Sequence, residues 1–333
     1  MDKYKILIVD DEPDNLALLY RTLRGKYEIE KSTSPLMALQ MMKTENFHCI
    51  LSDHKMPEMD GVEFLKRSCD ISPNTMRILV TAYTDAGILI DAINYAKIYR
   101  YIKKPYNPDE LLLVVQGALE DWQLKYDNNS LVNDLKDLFS GTITAIVEAL
   151  DAKDSYTLGR SRRVTFYAVK IAKALHLSEV TTGKIELAGL LHDIGMICVS
   201  DDVLAKVEQL SPSEYDEIKK HVNHSVKILD DIKQLKDVVE IIKYHHEHFD
   251  GNGYPFGLKG EDIPIGSRII AVADAFDSMV TPKIYRNQVL PSVAMNEIKA
   301  HSGTQFDPVV VDIFEQILPE ALHEIKELEK TFI

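Results

Sequence analysis

Three short apolar runs, each ending on polar residues, punctuate the first third of the chain: Ile6–Val9, Cys49–Leu51 and Ile78–Val80. Between them lie segments with helical patterning, such as Asn15–Arg24 and Pro35–Lys43. Strands alternating with helices predict a doubly wound parallel α/β sheet covered on both faces. Ligands of such sheets bind outside the carboxyl ends of the strands, where Asp10, Asp11, Asp53 and Thr81 fall. From about Glu110 to Leu150 the pattern turns helical and charged, with Asn128-Asn129-Ser130 as a predicted break. This stretch reads as a connector and a dimer interface, or else as a plain solvated helix. Beyond Leu150 strand signals almost vanish. Ser211-Pro212-Ser213-Glu214 places an N-cap, a first-turn proline and a glutamate three residues on, which starts a helix. The expected organisation is an α/β domain over 1–122, a helical linker over 123–145 and an all-α domain over 146–333.

With 333 residues the chain is long for one hydrophobic core, which agrees with two domains. A formal net charge of -14 works against nonspecific binding of nucleic acid or acidic membranes, though a local basic pocket for a small phosphate ligand stays open. Cys49, Cys69 and Cys198 form no CxxC and suit a reducing cytosol. No secretory leader is evident, and apolar stretches such as Leu111–Val115 fall far short of a membrane span. The expected location is the cytoplasm.

Three carboxylates at two strand ends, Asp10 and Asp11 after the first strand and Asp53 after the third, can hold one Mg²⁺ with open positions for phosphate oxygens. Beside such an ion a carboxylate can accept a phosphoryl group. Thr81 can hydrogen-bond that group, and Lys104, next to Pro105, can supply a point charge. The strings VDDEPDN, LSDHKMPEMDG, VTAYTD and YIKKPYNPDEL resemble the receiver domains of two-component response regulators over the first ~120 residues. The resemblance implies phosphorylation of Asp53 by a sensor histidine kinase, with Tyr101 as the switch aromatic.

A second constellation follows. LAGLLHDIGMI sets His192 and Asp193 in an apolar helical pattern, where buried polar groups need partners. His221 lies three residues after Ile218 on an apolar side, His245 and His246 end VVEIIKYHH, and Asp274 lies four after Ile270. Several helices thus aim imidazoles and carboxylates at one centre, as bundle metal sites do. A water held there can attack a phosphodiester. His176 and His224 lack such context and read as ordinary core histidines.

The strings ALDAKDSYTLG, LLHDIG, HHEHFDGNGYP, GLKGEDIP, RIIAVADAFDSM and GTQFDP resemble the HD-GYP subgroup of HD-domain phosphohydrolases from about Leu138 to Phe314. The resemblance implies hydrolysis of cyclic di-GMP, or a related cyclic dinucleotide, at an iron or manganese centre. Asp193 and His192 become the catalytic pair, with Asp193 bridging two divalent metals. His221, His245 and His246 complete one metal position; His192 and Asp274 belong to the other. Gly253, Tyr254 and Pro255 form the subgroup's name motif, and with Lys283 and Arg286 they would contact substrate.

The chain departs from that pattern in places. Arg160 stands where the family carries its first histidine, which weakens the position holding His192 and Asp274, since an arginine cannot ligate a metal. Tyr156 replaces the glutamate of trinuclear members, Met196 the lysine after HDIG, and Gln305 a histidine. Two readings remain: a phosphorylation-regulated phosphodiesterase, or a degenerate module that binds cyclic di-GMP or partner proteins without hydrolysis. An HD phosphohydrolase acting on another nucleotide is a third.

Overall fold

Strands β1 (Lys5–Val9), β3 (Cys49–Asp53) and β4 (Met76–Thr81) are almost wholly buried, which is why their sequences are apolar without alternation. Two further strands, β2 (Glu28–Ser32, EIEKS) and β5 (Arg100–Lys103), lie at the sheet edges and carry charge. In the computed structural model, which describes residues 4–82, 96–153, 159–204, 206, 208–281 and 289–329, the chain divides into two units, Met1–Asp137 and Leu138–Ile333.

In the first unit all strand pairs are parallel, in the order β2-β1-β3-β4-β5. Connections reverse direction between β1 and β3, so the ends of these two strands open a crevice. Helix α1 (Pro13–Leu23) begins two residues before the helical pattern, because Pro13 suits the first helical turn. Helices α2 (Pro35–Thr44) and α3 (Gly61–Ile71) follow. Side chains alternate between the two faces: Ile6, Ile8, Leu51 and Ile78 pack with Leu19, Leu23, Val115 and Leu119, whereas Leu7, Val9, Ile50 and Leu79 pack with Ala38, Phe64 and Leu65. Each of the buried Leu, Ile, Val and Phe side chains among them contributes roughly 1.5–3 kcal/mol.

Helix α4 (Pro108–Lys153) runs unbroken for 46 residues, through Asn128-Asn129-Ser130, where the sequence suggested a break. Asn and Ser each cost a helix interior only about 0.5 kcal/mol relative to Ala, and neither removes an amide as proline would.

The second unit contains no strand among the described residues, only an isolated bridge between Ser302 and Phe306. Besides a single turn at Asp201–Leu204, its helices are α5 (Arg160–Ala174), α6 (Glu179–Leu191), α7 (Pro212–Lys219), α8 (His221–Leu229), α9 (Lys236–Lys243), α10 (Ile265–Val280), α11 (Pro291–Ala300) and α12 (Pro308–Glu329). Ser211 and Glu214 form the capping box that starts α7, each side chain bonded to the other's backbone amide. Tyr167, Phe276 and Phe314 meet edge to face, with centroids 5.0 to 5.8 Å apart, and join α5, α10 and α12. Among the described residues no helix is long and apolar enough to cross a membrane.

Candidate functional site

In the N-terminal unit the crevice at the strand ends gathers acids. One oxygen each of Asp10, Asp11 and Asp53 lies within 4.8 Å of the others, a set that could hold a divalent ion. Asp10 is held by the Glu12 amide at 2.9 Å and by Asn15 Nδ2 at 3.1 Å; Asp53 Oδ2 accepts from the Lys55 amide at 2.9 Å. Lys104 Nζ lies 2.5 Å from Asp53 Oδ1 and 3.0 Å from Asp10 Oδ2. Burial works to lower the Lys104 pKa, but Asp53 and Asp10 outweigh it and hold the ammonium charged. Asp53 and Thr81 end their strands rather than follow them, since both still pair in the sheet. Thr81 Oγ1 lies 3.2 Å from His54 Nδ1, a neighbour that the sequence reading did not single out. Tyr101 is 41% exposed on β5, at the sheet edge.

In the C-terminal unit the six predicted ligands come together. His192 is not inside its helix but caps the end of α6, and Asp193 precedes a 3-10 turn, Ile194–Cys198. His221 opens α8 after a turn at Lys220, rather than continuing the helix that holds Ile218. His245 and His246 lie just past α9, and Asp274 lies within α10. Helix ends and turns bring imidazoles closer to one point than a single straight helix could. His176 is exposed and His224 only half-buried, so neither is the core histidine expected. His176 has φ 55°, in the turn that ends α5, and that conformation turns it out of the helix face.

Three of the imidazoles are fixed in the same way. Nδ1 of His192, His221 and His245 lies 2.7, 2.7 and 2.6 Å from the carbonyls of Gly189, Ile218 and Ile242. A carbonyl only accepts, so Nδ1 carries the proton and Nε2 of a neutral ring is left with its lone pair. Among the described residues those three Nε2 atoms are buried and make no hydrogen bond, though His192 Nε2 lies 3.2 Å from Asp193 Oδ2. Burial works to lower the His192 pKa, but Asp193 and Asp274 outweigh it and raise it to about 10. Buried polar atoms without partners are costly, so the arrangement fits a cation that would complete them. Asp193 Oδ1 lies 3.4 Å from His221 Nε2, and Asp193, His221, His245 and His246 each offer one ligand atom within 4.8 Å of the others. Burial, with neighbouring histidines, pushes His245 well below the usual range and His246 down to about 4, so both rings are neutral at neutral pH and could ligate a metal.

His192, Asp193 and Asp274 form a second cluster that shares Asp193. Here Arg160 intervenes: its Nη2 donates to Asp274 Oδ1 at 2.7 Å, and its Nε lies 3.5 Å from Asp193 Oδ2. Burial raises the pKa of both carboxyls, but Arg160 and His192 outweigh it and hold them well below the ordinary range.

The Gly253-Tyr254-Pro255 loop backs the first cluster. The Tyr254 ring stacks on His246 at 4.8 Å, and its amide donates to the His246 carbonyl at 3.1 Å. A Cβ on Gly253 would come within 2.1 Å of the His248 nitrogen, so only glycine fits there. Buried Glu247 accepts from the amides of Phe256 at 2.7 Å and Gly257 at 3.0 Å. Sequence reasoning missed Glu247 as an anchor, although its place beside the histidine pair was a usable signal. Lys283, Arg286 and Tyr156 lie outside the described residues.

Models of two families match the chain: the response regulator receiver domain over residues 6–116 and the HD domain over residues 145–310. A Thermotoga maritima protein named cyclic di-GMP phosphodiesterase is 32% identical, over 93% of this chain and 89% of its own. The cyclic di-GMP phosphodiesterase response regulator RpfG of Xanthomonas campestris pv. campestris is 30% identical, over 92% and 86%. A Vibrio cholerae protein, 3′3′-cGAMP-specific phosphodiesterase 2, is 32% identical over 57% of this chain and 37% of its own. A receiver and an HD domain in one chain define a response regulator with a phosphohydrolase-type output. The chain belongs to the family that joins these two domains, among the relatives of the cyclic di-GMP phosphodiesterase response regulators.

Proposed function

We propose that the chain is a cytoplasmic, phosphorylation-regulated phosphodiesterase of the HD-GYP type, which opens cyclic di-GMP or a related cyclic dinucleotide. Support comes above all from the three buried Nε2 atoms that make no hydrogen bond, gathered about Asp193. The relatives' names and the Gly253-Tyr254-Pro255 loop supply the substrate class. Iron or manganese suits a mixed imidazole and carboxylate set. Such an ion supplies an acidified water and polarises a phosphoryl oxygen. Asp193 and the histidines would hold it, Tyr254 braces His246, and Lys283 and Arg286 would meet the phosphates. On the input side, Asp53 takes the phosphoryl group from a sensor histidine kinase, Asp10 and Asp11 would hold the Mg²⁺ that assists, Lys104 neutralises the new charge, and Thr81 and Tyr101 answer it.

The test is anaerobic purification with metals quantified, then assay against cyclic di-GMP and 3′3′-cGAMP. Linear dinucleotide is the expected first product. A metallated protein that binds the nucleotide but releases no linear product would favour the alternative, a module that senses without turnover. Arg160 near the acids, and Met196 in place of a lysine, favour that second reading.

We propose further that α4 pairs with a second copy of this chain. Leu124, Leu131 and Leu138 recur at seven-residue spacing, with Asn128 and Leu135 between them, and all four leucines are more than 60% exposed. An asparagine at one seam position suits a two-stranded coiled coil and fixes its register. Replacing Leu131 and Leu135 with glutamate should shift sedimentation from dimer to monomer; an unchanged dimer would remove α4 from the interface.

A further inference from the structure

Helices α5 and α10 are joined by two ion pairs one helical turn apart. Arg160 reaches Asp274 at 2.7 Å, and Arg163 grips Asp277 with Nε at 2.7 Å and Nη2 at 3.2 Å. Arg160 and Arg163 are three residues apart on one helix, as Asp274 and Asp277 are on the other, so the pairs stack as rungs of one ladder. Asp277 is almost fully buried, and that rung is plainly structural. Asp274 is a rung as well, yet it is also one of the three residues of the second cluster.

We propose that Arg160 occupies the second cluster with a fixed positive charge, so that the HD domain takes one divalent ion, at Asp193, His221, His245 and His246, and none at His192, Asp193 and Asp274. This rests on the metal centre argued above. Arg160 brings no ligand atom, because a guanidinium has five donors and no acceptor. It also competes for one, since Asp274 Oδ1 accepts from Nη2 at 2.7 Å. An ion there would have His192 and a shared Asp193, would compete with Arg160 for Asp274, and would have a cation of like sign beside it. The one charge that Arg160 carries offsets one of the two carboxylate charges that would otherwise attract the ion. Asp193 keeps Oδ1 for the first position, 3.4 Å from His221, while Oδ2 faces His192 at 3.2 Å and Arg160 at 3.5 Å. One carboxylate thereby bridges a metal position and a guanidinium, in place of two metals.

The experiment uses the full chain with Asp10→Asn and Asp11→Asn, which removes the receiver's ion. Loaded anaerobically with Mn²⁺ and desalted, it is read by elemental analysis and by electron paramagnetic resonance. One equivalent is expected, with the six-line signal of an isolated ion. Arg160→His should raise the content to two equivalents and convert the signal to that of an exchange-coupled pair. Arg160→Lys, which keeps the charge, should stay at one, and circular dichroism checks that each variant is folded. Two coupled ions in the parent chain would overturn the inference while leaving the metal centre intact. An Arg160→His protein that folds and still takes one ion would overturn it as well. No bound ion in any variant would overturn the metal centre itself.

Discussion

The amide of Gly195 donates to Oγ of Ser225 at 2.8 Å, and that hydroxyl donates in turn to the carbonyl of His192 at 3.0 Å. Ser225, on α8, thus pins the turn after His192 and Asp193 to the helix that His221 opens. A Cβ on Gly195 would lie 2.0 Å from the His221 carbonyl oxygen and 2.6 Å from the Ser225 nitrogen. Gly195→Ala should therefore push α8 away, at a cost of about 1–3 kcal/mol for overpacking. Urea unfolding and metal content should fall together. A variant equal to the parent in both would show that the approach is not tight.

Asp53→Asn keeps the size of the side chain and loses the nucleophilic charge that Lys104 faces at 2.5 Å. Phosphoryl transfer from a small phosphodonor with Mg²⁺ should vanish. Persistent labelling at another residue would move the acceptor elsewhere.

Asp193 is common to both clusters, so Asp193→Asn removes a ligand and not merely its support. Outer partners of metal ligands alone are worth ~10–100-fold in affinity, so this loss should exceed about 100-fold. Titration with Mn²⁺ reads it directly, and turnover of cyclic di-GMP should disappear with it. Retained tight binding would displace Asp193 from the centre.

Glu214 accepts from Lys206 at 2.8 Å and closes the capping box with Ser211. Lys206 and Ser211 hold its carboxyl down to about 2, from an ordinary 4.5. Because the folded value is the lower one, its contribution is fully present above pH ~4.5 and is lost as pH falls toward about 2. The difference in unfolding midpoint between the parent and Glu214→Gln should be constant above pH ~5 and shrink below it. A difference that does not vary with pH would assign the effect to shape alone.

Buried runs such as KILIV and CILSD announced their strands, because a strand covered on both faces has no use for polar side chains. The edge strand β2, EIEKS, carries no such signal, since one side of an edge faces water and tolerates charge. The acids at the strand ends and the six histidines and aspartates that the fold gathers were legible as clusters too, because their motifs are local strings and only chemistry asks for those residue types together. The capping box of α7 was legible for a similar reason: its partners are three residues apart.

Pairings between distant segments could not be read in that way. Arg160 and Asp274 are 114 residues apart, and so are Arg163 and Asp277. From the sequence, Arg160 was only a missing ligand; that it turns into the second cluster and binds an acid there depends on how α5 packs against α10. The chain sets which atoms can donate, accept or coordinate. Whether an arginine's charge lies in water or 2.7 Å from the Asp274 carboxylate is decided by helix packing, because burying that charge is tolerable only where the fold supplies its counter-charge.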